Sequence, residues 1–103
     1  MVAFYHVGLG LRINVQNEWF VEFQLTTSSH LSVADESRAT IKSSNGQGIT
    51  IGLQVADIEA AHARFVAAGL SPTKIRKIWG SAAFYVFDPE GNRIEFWSGE
   101  ALT

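Results

Sequence analysis

A cysteine-free chain of 103 residues with a net charge of −2 excludes several classes of protein at once: disulfide scaffolds, thiolate metal sites, cysteine nucleophiles, and the broad positive surface that nucleic acid or an anionic membrane requires. The length suits a single core, and the apolar share of 47% is too high for a disordered chain. With no signal-peptide pattern and no apolar run near the ~20 residues that span a bilayer, we expect a cytoplasmic protein.

The first half of the chain predicts three short strands. They cover residues 12–16, 19–25 and 30–34, with polar turns between them. The glycines of residues 8–12 precede no helix and no P-loop lysine, so we interpret this phrase as a helix end and not as a phosphate cradle. Residues 35–48 are polar and aperiodic, which indicates a linker.

A strand and a helix follow the linker. Alternating apolar residues predict a strand over residues 49–55. Asp57 stands at the position of an N-cap, and apolar residues at three- and four-residue spacing predict a helix over residues 58–68. Gly69 offers the left-handed residue that closes such a helix.

Three more strands complete the second half. Residues 72–78 contain a proline, which favours an edge strand. We interpret their basic side chains as charges that discourage edge-to-edge pairing, although an anion-binding patch is the alternative; they are Lys74, Arg76 and Lys77. Residues 82–87 and 93–98 predict a hairpin, since the turn between them contains proline and glycine.

The sequence FYVFDPEGNRIEFWS, residues 84–98, resembles the terminal hairpin of the glyoxalase/bleomycin resistance/dioxygenase superfamily, also called the vicinal oxygen chelate superfamily. Residues 49–70 resemble the strand and helix that open one of its βαβββ modules. Residues 4–13 are similar to the end of the first module's helix and the start of its second strand.

The resemblance implies an α+β fold of paired βαβββ modules whose strands curve into a half-open barrel around a cavity. A truncated first module and the linker would cover residues 1–48, and a second module residues 49–103, within one structural domain. The family's first strand and most of its first helix would precede Phe4. Because a missing strand leaves an unpaired edge, we expect a homodimer or a swapped arrangement. A misassigned start codon and a functionless fragment are the alternatives.

Enzymes of the family bind a divalent metal through four His, Gln or Glu side chains. By resemblance Glu95 matches one of these positions, whereas Thr50 and Ser32 stand at two others and the fourth is absent. His30 lies on the same strand face as Ser32 and could share a cavity wall with Glu95. Since hydroxyls are poor ligands and a catalytic site normally has three protein ligands, a metal at Glu95 is not the favoured interpretation.

Glu95 could also function without a metal. It could act as a general base in an apolar cavity, or it could pair with Arg93 on the same strand face and anchor a ligand; the sequence leaves both open. Trp97 shares this face, and Tyr85 could extend an aromatic wall. We interpret the other two tryptophans, Trp19 and Trp79, mainly as core or interface residues.

These residues lead to two hypotheses of function. The first is a metal-free protein that binds an aromatic or cationic small molecule, as bleomycin-resistance proteins do. Its ligand-binding residues would be Arg93, Trp97, Tyr85, Thr50 and His30, together with Glu95. The second is an enzyme: a metal-dependent lyase, isomerase or dioxygenase with Glu95 as a ligand, or an acid/base catalyst with Glu95 as its catalytic residue. Neither nucleic acid nor a membrane is an expected partner.

Overall fold

The computed structural model describes residues 1–39, 42–78 and 80–99. These residues contain seven strands in two sheets, one α-helix and one π-helical turn, so the fold is α+β, as predicted. The chain divides into two compact units, Met1–Ser44 and a second that starts at Asn45. No helix in the described ranges has the length and apolar character needed to cross a membrane.

The first unit is a three-stranded antiparallel sheet under one helical turn. After the π-helical turn Phe4–Gly8 come β1 (Arg12–Gln16), β2 (Phe20–Gln24) and β3 (His30–Ala34), paired in the order β1-β2-β3. Tyr5 from the turn packs on Phe23 from β2, with their ring centroids 5.7 Å apart, and both side chains are buried. The helix end and the three strands are therefore confirmed.

Strand β2 is shorter than predicted because an asparagine builds the turn before it. The Asn17 Oδ1 atom accepts hydrogen bonds from the backbone N–H groups of Trp19 and Phe20. This local bond holds residue 19 in the turn, so the strand begins at Phe20 and not at residue 19.

The second unit has the order strand, helix and three strands. Its elements are β4 (Thr50–Gln54), α1 (Ile58–Ala67), β5 (Arg76–Ile78), β6 (Ser81–Phe87) and β7 (Arg93–Ser98). The sheet order is β4-β7-β6-β5, in which β4 runs parallel to β7 and the other pairs are antiparallel. The predicted position of β5 at the edge is confirmed.

Helix α1 begins and ends where its capping residues predict. The Asp57 carboxylate accepts a hydrogen bond from the backbone N–H of Ala60, and Gly69 takes a positive φ of 76° after the last turn. The buried face of the helix carries Phe65, whose ring lies 4.8 Å from that of Phe96. The helix therefore covers one face of the second sheet, and among the residues that the structure describes the other face has no contact with α1.

Strand β5 begins four residues later than predicted. Thr73 is hydrogen-bonded to β6, but one of these bonds uses its side chain, so it is not part of a regular backbone ladder. The Thr73 side-chain hydroxyl accepts from the backbone N–H of Tyr85, and its own N–H donates to the Tyr85 carbonyl. A side chain thus replaces a backbone acceptor next to Pro72, and the regular ladder starts only at Arg76.

Candidate functional site

The site residues predicted from β7 lie on the sheet face away from α1. Side chains alternate along a strand, and Ile94 and Phe96 are buried on the helix side. Arg93, Glu95 and Trp97 therefore point to the opposite face. Their neighbours on adjacent strands, row by row, are Thr50 and Phe87, Gly52 and Tyr85, and Gln54 and Ala83.

Arg93 is held across the sheet by two neighbours. Its Nε atom donates to the Thr50 Oγ1 atom at 3.0 Å. Its guanidinium carbon lies 4.6 Å from the centroid of the Tyr85 ring, within the range of a cation–π contact. Arg93 is therefore not paired with Glu95, although the sequence had left that pairing open.

Glu95 lies half-buried in the middle of this face. Within residues 1–39, 42–78 and 80–99 its carboxylate has no hydrogen-bond donor, and no lysine or arginine nitrogen lies within 4.0 Å of it. Next to it on β4 is Gly52, where an added Cβ would meet no atom within 4 Å. The carboxylate thus borders open space and is available to a molecule from outside the chain.

Trp97 forms the aromatic side of this space. The indole is half-buried, and its cross-strand neighbour is the small residue Ala83. On the β4 side Gln54 donates from Nε2 to the Gly99 carbonyl at 3.3 Å. A carboxylate, an indole and a restrained guanidinium therefore occupy successive positions on one strand face, about 6–7 Å apart.

The remaining candidate residues belong to the first unit or fall outside the described residues. His30 is on β3 of the first unit, where it is exposed and pairs with Gln24. Trp19, also in the first unit, is half-buried against Phe20, with ring centroids 5.0 Å apart. Trp79 falls outside the described residues. The structure thus brings Glu95, Arg93, Trp97, Tyr85 and Thr50 together on one sheet of the second unit.

A cleft of ≈ 320 Å³ lies beside Trp19 in the first unit. Two of its polar lining groups are already engaged: Asn17 caps the turn before β2, and the Asp35 carboxylate accepts from the N–H and hydroxyl of Ser37. The hydrogen bond from the Ser37 hydroxyl, more than any other contact, holds the pKa of Asp35 below its ordinary value of 3.8. We assign this cleft no ligand.

Sequence reasoning missed two residues of these sheets, Gly52 and Glu22. Glu22 is half-buried on β2 and pairs with Ser32, just as Tyr85 pairs with Glu95. Each residue of the first hairpin thus has its counterpart 63 positions later in the second. Aligning the two hairpins at this spacing identifies Glu22 as the carboxylate of the first hairpin, one strand away from Ser32.

The residues present do not fit the divalent metal of the family's enzymes. The Thr50 hydroxyl, at one expected ligand position, accepts from the cationic Arg93 side chain, which disfavours a second cation there. The neighbours of Glu95 in its row are a glycine and a tyrosine. No group of three histidine, aspartate or glutamate residues in the described parts of the chain could hold a metal ion. These residues therefore support no metal-dependent step.

Solved structures with the same fold include proteins of several descriptions. Lactoylglutathione lyase from Agrobacterium tumefaciens has a TM-score of 0.77 at 22% identity, over 95% of this chain and 82% of its own. TioX from Micromonospora sp. ML1 has a TM-score of 0.73 at 21% identity, over 99% and 87%. At these identities the likeness shows the fold alone.

A third similar structure carries the family's own description. It is a glyoxalase/bleomycin resistance protein/dioxygenase from Nocardioides, with a TM-score of 0.74 at 18% identity over 99% of this chain and 80% of its own. No curated protein matches the chain. The family model described as the Glyoxalase/Bleomycin resistance protein/Dioxygenase superfamily matches residues 1–96, and the chain belongs to that superfamily.

Proposed function

We propose that this protein binds an aromatic or cationic small organic molecule, without a metal, on the face of its second sheet that points away from α1. Glu95 and Trp97 would contact the ligand directly, and Arg93, Tyr85 and Thr50 would border the site. The observation that carries the proposal is the Glu95 carboxylate, which borders open space while the nearest basic side chain on its strand is engaged elsewhere.

The family includes both resistance proteins and enzymes. The side chains at the expected metal-ligand positions of this chain favour a binding protein over a metal-dependent enzyme. A neighbour such as lactoylglutathione lyase is an enzyme by its description. In this chain Thr50 stands at one of the ligand positions that the family resemblance implies, and its hydroxyl accepts a hydrogen bond from Arg93. An aromatic residue beside a carboxylate suits recognition of a planar or cationic compound.

Replacing the carboxylate tests this proposal. We expect Glu95→Gln to weaken binding of planar aromatic amines about tenfold, because a charge-assisted hydrogen bond is lost. The measurement is titration of the purified protein with a panel of such compounds, followed by tryptophan fluorescence and thermal shift. Glu59→Gln on α1 removes the same charge from the same unit and should leave affinity unchanged. Equal affinity in the Glu95 variant, or no stabilisation by any compound, would contradict the proposal.

The same carboxylate supports a second candidate function, metal-free acid/base catalysis. An acceptor with no hydrogen-bond donor among the described residues is available for a proton from a bound substrate. Such a protein would exchange acidic C–H protons of a bound carbonyl compound for deuterium, which NMR detects. Exchange that persists in Glu95→Gln would exclude this function.

We also propose that the protein forms a homodimer through β3. In the described part of the chain no strand pairs with the outer edge of β3. The bond from Asp35 N–H to the Trp19 carbonyl fixes the phase of the β2–β3 ladder, so the backbone groups of Ser32 point away from β2. On β7 the corresponding groups face β4, as the bond from Val55 N–H to the Trp97 carbonyl shows. Antiparallel pairing of β3 with β3 of a second copy would satisfy both edges at once.

The dimer predicts a molar mass of twice 11.3 kDa in light scattering. Ser32→Pro removes an outward N–H group without removing a bond to β2, and we expect it to shift the protein to the monomer. Ser32→Ala keeps the N–H group and should remain dimeric. A monomeric mass for the wild-type chain, or a Ser32→Pro dimer with unchanged circular dichroism, would contradict the interface.

A further inference from the structure

We infer that Gly52 makes this site selective for ligands that carry an ammonium group on a planar aromatic body. The ammonium would lie over the Gly52 backbone, with the Glu95 carboxylate on one side and the Trp97 indole beside it. This inference rests on the function proposed above and specifies the class of ligand and the residue that admits it.

The backbone of β4 does not need a glycine at position 52. Its φ is not positive, and the pairing with β7 runs without a bulge from Ile51–Ile94 through Gly52–Glu95 to Leu53–Phe96. An added Cβ would meet no atom within 4 Å, so no close approach excludes a side chain either. Glycine inside a strand is unfavourable because it loses more chain entropy and packs nothing. The open space above it therefore calls for a reason other than the folding of the chain.

The charges around this volume favour a cation. Glu95 borders it with no cationic partner among the described residues, because Thr50 and Tyr85 hold Arg93. A neutral ligand could donate a hydrogen bond to the carboxylate but would supply no compensating charge, and an anionic ligand would be repelled. An ammonium supplies both donors and charge, and it gains from the indole face of Trp97.

The open space over Gly52 is suited to a compact charge. A residue without a side chain leaves room about one side chain wide, between Thr50 and Gln54 along β4. On the β6 side, the neighbour of Trp97 is Ala83, whose side chain is only a methyl group. A planar ring can therefore extend over Ala83. The expected ligand thus has a small cationic group joined to a flat aromatic system.

Three matched probes test the inference: naphthylmethylamine, its neutral alcohol naphthylmethanol, and the anion naphthoate. Each is titrated into the full chain while the amide of Gly52 and the indole N–H of Trp97 are followed by NMR. We expect the amine to bind about tenfold more tightly than the alcohol, and naphthoate to bind more weakly still. Glu95→Gln should reduce the affinity for the amine to that for the alcohol, whereas Glu59→Gln should not.

Gly52→Ala gives the sharper test, because affinity and stability should change in opposite directions. The added methyl fills the volume, so the affinity for the amine should fall about tenfold or more. The melting temperature of the ligand-free protein should stay equal or rise, since alanine is favoured over glycine in a strand and meets no atom. Gly52→Val should abolish binding with the fold intact. A glycine kept for the fold would instead lower the melting temperature in both variants.

Each other outcome has a definite meaning. Equal binding of amine and alcohol, with shifts at Trp97, would overturn the inference and leave the proposed function standing. Tight amine binding that survives Gly52→Val would overturn the role of Gly52. No binding of any of the three probes would also overturn the inference, and the wider panel described above would then decide the proposed function separately.

Discussion

Phe84→Ala is expected to destabilise the protein by about 3–5 kcal/mol, which is a large part of the total stability of a domain of this size. The Phe84 side chain is 0% exposed on the helix face of β6. Its ring lies 5.5 Å from that of Phe96, 6.0 Å from that of Phe65 and 5.0 Å from the His62 imidazole. Truncation removes all three contacts and leaves a cavity between helix and sheet. Urea unfolding followed by circular dichroism measures the loss.

Phe87→Ala is the matched control on the same strand. Phe87 is 52% exposed, and the same truncation should cost less than about 1 kcal/mol. A similar loss for both variants would mean that α1 does not pack on β6 as the structure shows. The sheet that carries the candidate site would then not be supported by α1 on its other face.

Asp88→Ala is expected to cost about 2–4 kcal/mol, because one buried carboxylate organises the whole turn between β6 and β7. Asp88 is 5% exposed. Its Oδ1 atom accepts from the backbone N–H groups of Glu90 and Asn92, and its Oδ2 atom accepts from Asn92 Nδ2, each at 2.9 Å. Alanine leaves these donors without an acceptor in a partly buried turn. Thermal and urea unfolding give the loss.

Asp35→Ala in the first unit is the control for Asp88. Its carboxylate also accepts from a residue two positions on, but the side chain is exposed, so water can replace the lost bonds and the effect should be much smaller. Asp88→Asn keeps an acceptor oxygen and should lie between wild type and Asp88→Ala. Equal losses at positions 35 and 88 would show that burial of the turn carboxylate is not what stabilises it.

This turn matters for the site because it sets the register of the hairpin. The bonds of Asp88 fix a five-residue connection, residues 88–92, and the pairing that follows places Glu95 beside Tyr85. A slip of one residue would turn Glu95 to the helix face and Ile94 to the open face. The turn built by Asp88 thus determines the face on which the Glu95 carboxylate lies.

Local chemistry let the sequence predict most of the fold. Alternation of apolar residues predicted β3 and β7 with their observed bounds, and the N-cap Asp57 predicted the start of α1. Where the predictions were wrong by a few residues, a side chain had replaced a backbone partner: Asn17 before β2 and Thr73 before β5. Such substitutions depend on which groups meet in space, so periodicity does not show them.

The candidate site was predictable only in part. Alternation along β7 placed Arg93, Glu95 and Trp97 on one face, since that needs only the period of a strand. The partner of Arg93 was not predictable, because Thr50 lies 43 residues away and reaches it through the parallel pairing of β4 with β7. The open volume at Gly52 was not predictable either, since a strand glycine can equally mark a bulge or a close approach.

The sequence by itself therefore determined the secondary structure, the capped helix, the hairpin turn and the face on which the Glu95 carboxylate lies, because each depends on neighbours a few positions away. Only the tertiary structure decided that Arg93 is hydrogen-bonded to Thr50 and lies over the Tyr85 ring, and that Glu95 borders open space. The physical reason is that hydrogen bonds and cation–π contacts act over a few ångströms. The groups that compete for Arg93 are brought within that range by strand pairing, whatever their separation along the chain.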